Sequence, residues 1–116
     1  MNRDEQISIE RKTGKSPDVA IITVTGPITV RTLFDFQSAL KAEASPAVTI
    51  LDLTGVPYLD SGGMGSVINH FVHCQKNHVK LFVVGVNNRA LELFRLTKVD
   101  TLIPMLATLE EAEAKA

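Results

Sequence analysis

The hydrophobic positions of this chain follow two different periods in alternating blocks. Residues 7–11 alternate weakly between apolar and polar, and residues 19–25 are β-branched apart from Ala20, so both stretches are predicted strands. Between them, Lys12-Thr13-Gly14-Lys15-Ser16-Pro17-Asp18 is dense in turn formers, which predicts a hairpin. Gly26-Pro27 ends the second strand, and the period then changes. Leu33, Phe36 and Leu40 recur at helical spacing behind Thr29, a candidate cap, and Ser45-Pro46 closes the segment. Residues 48–53 form a compact apolar run suited to a strand buried on both faces. From Met64 the pattern is helical again: Met64, Val67, Ile68, Phe71, Val72 and Gln75 fall on one face.

Residues 80–86 read as the next buried strand, followed by Asn87 or Asn88 as cap of a helix over 89–96 with Leu91 and Phe94 inward. Residues 102–106 suit a short edge strand because of Pro104. Thr108 and Glu111 have capping-box spacing and open a last short helix. The order β-β-α-β-α-β-α-β-α implies crossover units and a mainly parallel sheet extended by the opening hairpin. The expected fold is therefore α/β: a mixed sheet of four or five strands with about four helices packed mainly on one face, in one domain over residues 1–116. Ile21, Ile22, Val24, Ile50, Leu51, Leu53, Val67, Phe71, Phe82, Val84 and Phe94 are the expected core.

Composition narrows the function classes. Twelve basic residues against 13 acidic give a net charge of −1, and no basic run is longer than Arg11-Lys12, so nucleic acid is not an expected partner. One cysteine, Cys74, cannot make an internal bridge and fits a reducing compartment. The first residues are polar and no apolar run is long enough for a bilayer; a cytoplasmic protein without membrane insertion is expected.

The unusual stretch runs from the strand ending at Leu53 into the best helix of the chain. Gly62, Gly63 and Gly65 crowd its first helical turn, although each costs about 1 kcal/mol of helix stability relative to Ala. Glycines there leave backbone N–H groups bare and let another surface approach closely. Ser61 stands where a phosphate would meet a helix N-terminus. The plainer reading is that Asp60 or Ser61 is an N-cap and that the glycines serve close helix–sheet packing. The turn is not a nucleotide loop: it lacks G-x-G-x-x-G, and Gly14-Lys15-Ser16 has Ile9 where a phosphate loop needs its first Gly. Nor is it G-x-S-x-G, since Leu59 precedes Ser61 by two.

At these residues the chain resembles the STAS domain family, the fold of bacterial anti-sigma factor antagonists. Asp60-Ser61-Gly62-Gly63-Met64-Gly65 matches that family's Asp-Ser-x-Gly-Leu-Gly motif, and the likeness extends to residues 24–28, 50–53 and 93–99. The resemblance implies an unphosphorylated antagonist that binds an anti-sigma factor, itself a serine kinase, and so frees a sigma factor. Phosphorylation at the turn abolishes binding and a separate phosphatase restores it. By this likeness Ser61 is the phosphorylation site, and Asp60, Ser61, Gly62, Gly63, Met64 and Gly65 form the partner surface, where an arginine at Gly63 is expected to block docking. Two positions depart from the family: Gly62 replaces a hydroxyl residue that is often the phosphorylated one, and Thr29 stands where many members are acidic. Some members are instead unphosphorylated subunits of larger assemblies, such as lipid-transport complexes or signalling scaffolds, and this is the alternative.

Other constellations point to less. His70, Cys74 and His78 recur every four residues with His73 nearby, but a third ligand at i+8 reaches a shared ion poorly, and they are expected at the boundary of an amphipathic helix rather than on a metal. Asp52 either accepts backbone N–H bonds that orient the turn, the preferred reading, or faces solvent. Arg89 and Arg95 are candidates for the helix beside the motif, with solvation as their default. No nucleophile–base pair and no complete phosphate cradle is legible, so neither catalysis nor a cofactor is expected.

Overall fold

A computed structural model describes residues 6–41 and 46–116; Ser45 and the polar residues 1–5 lie outside the described residues. The elements are β1 (Ser8–Thr13), β2 (Val19–Thr25), α1 (Leu33–Leu40), β3 (Val48–Gly55), α2 (Ser61–Lys76), β4 (Lys80–Val84), α3 (Asn88–Leu96), a 3-10 turn (Val99–Thr101), β5 (Met105–Leu106) and α4 (Leu109–Lys115). The five strands lie in sequence order in one sheet. β1 and β2 pair antiparallel, and β2 through β5 are parallel.

This topology decides where the helices go. Each parallel strand is laid down on the same side of its predecessor, and crossovers are right-handed, so the connections containing α1, α2 and α3 all fall on one face. Their core joins Ile22, Val24, Leu51, Leu53 and Val83 to Phe36, Val67, Cys74 and Phe94. The opposite face, with Val19, Ile21, Ile50, Phe82 and Val84, is covered by α4 through Ala112 and Leu109. β3 is thus buried on both sides, as its unbroken apolar run predicts.

Several boundaries differ from the sequence reading. Thr29 does not cap α1. Its N–H donates to Thr32 Oγ1 at 2.9 Å, Thr32 Oγ1 donates to Pro27 O at 2.8 Å, and the helix starts only at Leu33. Two threonines three apart satisfy each other in a turn instead of opening the helix. β4 ends at Val84, and β5 keeps only Met105 and Leu106, because Leu102 N and Ile103 N both donate back to Val99 O, at 2.9 and 3.0 Å, continuing the turn over residues 99–101. Asn87 is the cap of α3, its Oδ1 accepting from Ala90 N at 2.9 Å. Ala90 and Phe94 are the buried residues of that helix, whereas Leu91 is only half-buried. Thr108 caps α4 through Glu111 N at 3.2 Å, as the capping-box spacing predicts.

The inward face of α2 is turned by about one residue from the expected one. Gly63, Ser66, Val67, His70 and Cys74 are buried, Phe71 is half-buried and Val72 is 40% exposed. α1 packs along the side of α2 that carries small and polar residues, with Gln37 Nε2 donating to Ser66 Oγ at 3.3 Å. Of the expected face, Val67 is fully buried and Met64, Ile68 and Phe71 pack against the core, so hydrophobicity found the face but not its centre.

Candidate functional site

The site lies at the carboxyl ends of β2 and β3, on the three-helix side. After β2 the chain turns at Gly26, whose φ of 106° suits glycine, and Ile28 then runs beside the segment that leads into α2. Ile28 N donates to Tyr58 O and Asp60 N donates to Ile28 O, both at 3.2 Å. Ile28 and Leu59 are both buried beneath this pairing.

Asp60 is the N-cap of α2 and uses both carboxylate oxygens. Oδ1 accepts from Gly63 N at 2.8 Å and Oδ2 from Val30 N at 3.1 Å. One side chain therefore caps the helix and ties the β2–α1 loop to it. Ser61, the first residue of the helix, is exposed, and its hydroxyl makes no hydrogen bond among the described residues.

The glycines divide by role. A Cβ on Gly63 would overlap the carbonyl oxygen of Ile28, so close packing demands glycine there. A Cβ on Gly62 would stand 2.8 Å from Val30 Cγ1. A Cβ on Gly65 would meet nothing within 4 Å; no internal contact accounts for that glycine. Met64 is half-buried and faces α3, accepting from Thr97 Oγ1 at 3.4 Å. Ser61 and Gly65 thus face outward, while Asp60, Gly63 and Met64 hold the turn together.

Large apolar side chains stand exposed around Ser61, and sequence reasoning missed them. Val30 (68% exposed) packs beside Gly62. Tyr58 and Leu96 (76% exposed) line a cleft of about 400 Å³ that also includes Asp60 and Arg89. The Arg89 guanidinium stands 6.0 Å from the centroid of the Tyr58 ring. Asn87 fixes that wall, since Nδ2 donates to Pro57 O at 2.8 Å. The structure therefore brings Arg89 to the motif, while Arg95 is simply exposed. The available sequence signal was Leu96, two residues beyond the buried Phe94 and so off the inward face of α3.

The remaining candidates lie elsewhere. Asp52 Oδ1 accepts from Thr54 N at 3.0 Å and from Thr54 Oγ1 at 2.6 Å, so it orders the end of β3 and does not reach the turn. His70 and Cys74 are buried rather than at the boundary, with Nε2 and Sγ 3.6 Å apart. Burial, helped by His73 and Arg11, pushes the His70 pKa down to about 4, and burial raises that of Cys74. Among the described residues no three His, Cys, Asp or Glu side chains gather where they could hold a metal. Among them, too, no helix is long and apolar enough to cross a membrane.

Comparison with known proteins matches this geometry. A family model described as STAS domain fits residues 10–112. The anti-sigma-B factor antagonist of Listeria monocytogenes is 30% identical over 99 residues, 84% of this chain and 86% of that protein. The crystal structure of an anti-sigma factor antagonist from Mycobacterium paratuberculosis superposes with a TM-score of 0.87 at 22% identity, covering 99% of this chain and 97% of that one. The Bacillus cell fate determinant SpoIIAA in its phosphorylated form gives 0.70 at 13% identity, covering 93% and 98%. With its five-stranded mixed sheet and a family match over most of its length, the chain belongs to the STAS domain family.

Proposed function

We propose that this chain is an anti-sigma factor antagonist, acting as one domain in the cytoplasm. It docks on a kinase-type anti-sigma factor through residues 60–65, and phosphorylation of Ser61 switches the docking off. The observation that carries the reading is Ser61 itself: an exposed, unbonded hydroxyl on the first residue of a capped helix, set among exposed apolar side chains. The names of the relatives support it. A phosphate adds close to two negative charges. Free in water they face the N-terminus of α2, where negative charge is tolerated. Under a partner covering Val30, Gly65 and Tyr58 they would be desolvated, and the complex would lose affinity. A phosphatase reverses the change. The domain supplies no catalysis of its own; the phosphoryl group comes from the partner's ATP.

The test uses the anti-sigma factors encoded in the same genome as this chain, each purified and mixed with it, with and without Mg-ATP. Binding is read by calorimetry and modification by mass spectrometry. We expect modification at Ser61, with Ser61→Asp weakening binding by about tenfold or more (~1.4 kcal/mol) and Ser61→Ala retaining it. Modification at Thr29, Thr54 or Ser66 with Ser61 untouched sinks the site assignment. The second reading, an unphosphorylated subunit of a larger assembly, draws on Gly62 and on Thr29, which is buried and lends its hydroxyl to Arg31 N at 3.2 Å. Tight binding by Ser61→Asp without any modification would favour it.

A further inference from the structure

α1 and α2 run side by side below the motif, with Val30 beside Gly62 at the head and Gln37 on Ser66 lower down. Phe34, Gln37 and Lys41 recur at i, i+3 and i+7 along α1, while Ser61, Gly65, Asn69 and His73 recur every fourth residue along α2. All seven are exposed, Phe34 at 78%. Between these two rows lies a groove of about 220 Å³, lined by Gln37, Lys41, Ser66, Asn69, His70 and His73 together with Leu40.

We propose that this groove is a second contact zone for the protein partner and receives an acidic segment of it, continuous with the contact at Ser61. The proposal rests on the docking reading above. Its basis is charge complementarity. Among the described residues the lining holds one ammonium, Lys41, with imidazole and amide donors and no carboxylate; the His70 ring is neutral near pH 7, and Arg11 of β1 adds positive potential at it. A carboxylate entering here meets Lys41 and His73 at the rim and the Asn69 and Gln37 amides within it. Phe34 stands at the head of the groove, where an apolar side chain of the same segment would cover it. A complementary charge pattern of this kind sets on-rate and partner choice more than total affinity.

The experiment measures the dissociation constant and association rate of the full chain with the anti-sigma factor that binds it, for Lys41→Glu, His73→Glu and, on the opposite face, Lys115→Glu. Thermal unfolding checks that each variant is folded. We expect the two groove reversals to weaken binding by about tenfold, mainly through slower association (~1.4 kcal/mol), and Lys115→Glu to change it by less than about twofold (~0.4 kcal/mol). A second readout needs no variant. The His70 ring, followed by NMR, should titrate at higher pH in the complex than in the free chain, because a carboxylate beside it favours the imidazolium. Groove reversals that leave the dissociation constant and the association rate within about twofold (~0.4 kcal/mol), in a chain where Ser61→Asp still weakens binding, overturn the groove and spare the docking reading. Wild-type chain that binds none of the anti-sigma factors overturns both.

Discussion

At the scale of single residues, Asp60 and the glycines after it carry different duties. Asp60 joins two backbone donors from separate loops, Gly63 N and Val30 N. Asp60→Ala leaves both without their carboxylate and should cost about 2 kcal/mol, measured by urea unfolding. Asp60→Asn keeps one oxygen for the Gly63 N–H but turns an amide donor toward Val30 N, so it should recover only the cap, roughly half of that. Gly63→Ala should destabilise by about 1–3 kcal/mol, since its methyl meets the Ile28 carbonyl. Gly65→Ala, with open space around it, should stabilise by roughly 0.5–1 kcal/mol. An opposite order of the two midpoints would remove the distinction between packed and open glycine. It also means that an arginine at Gly63 damages the fold before it can test docking; Gly65→Arg is the informative steric probe. The sequence showed three glycines where a helix wants none, but not which of them answers to a neighbour, because that neighbour, Ile28, is more than thirty residues away in the chain.

At the scale of elements, α2 is where pattern and packing part. Its existence was legible from a long helical period, but its inward meridian passes through Gly63, Ser66, His70 and Cys74. Ser66 and His70 are buried there beside α1, Gly63 lies under Ile28 and Cys74 joins the main core; an amphipathicity argument cannot anticipate a neighbouring helix that prefers close approach. Phe71, expected in the core, is half-buried against it, so Phe71→Ala should cost about 1–3 kcal/mol, below the range for a fully buried ring. His70 sets a pH dependence instead. Its pKa falls from an ordinary 6.5 to about 4 in the folded chain, so between those values the unfolded chain binds a proton that the native one refuses. Stability from this group is complete above about pH 6.5 and declines as the pH falls toward 4, by up to roughly 3 kcal/mol. Urea midpoints at pH 7 and pH 4.5 should differ less for His70→Gln than for the wild type; an equal difference would show that other groups carry the acid sensitivity.

At the scale of the whole molecule, sequential strand order and one-handed crossovers place three helices on one face and leave the other to α4. A short edge strand within 102–106 and helices gathered mainly on one face were readable from the alternation of elements, whereas the 3-10 turn over residues 99–101 and the cover of the opposite face by α4 were not. The division also separates stability from function. α4 covers Ile50, Phe82 and Val84 through Ala112, and Glu113 Oε1 accepts from Lys15 N at 2.8 Å, fastening the β1–β2 turn. The site around Ser61 is built on the far side of the sheet, from the β2–α1 and β3–α2 loops. Ala112→Asp drives a carboxylate into that packed face and should lower stability by several kcal/mol, on the order of 3. Provided the variant is still folded at low temperature, its amide resonances for residues 60–65 should keep their wild-type positions and its affinity for the anti-sigma factor should hold within about twofold (~0.4 kcal/mol). Shifted amides at the turn would mean that α4 reaches the site through β3, whose residues face both cores, and that the two faces are coupled rather than independent.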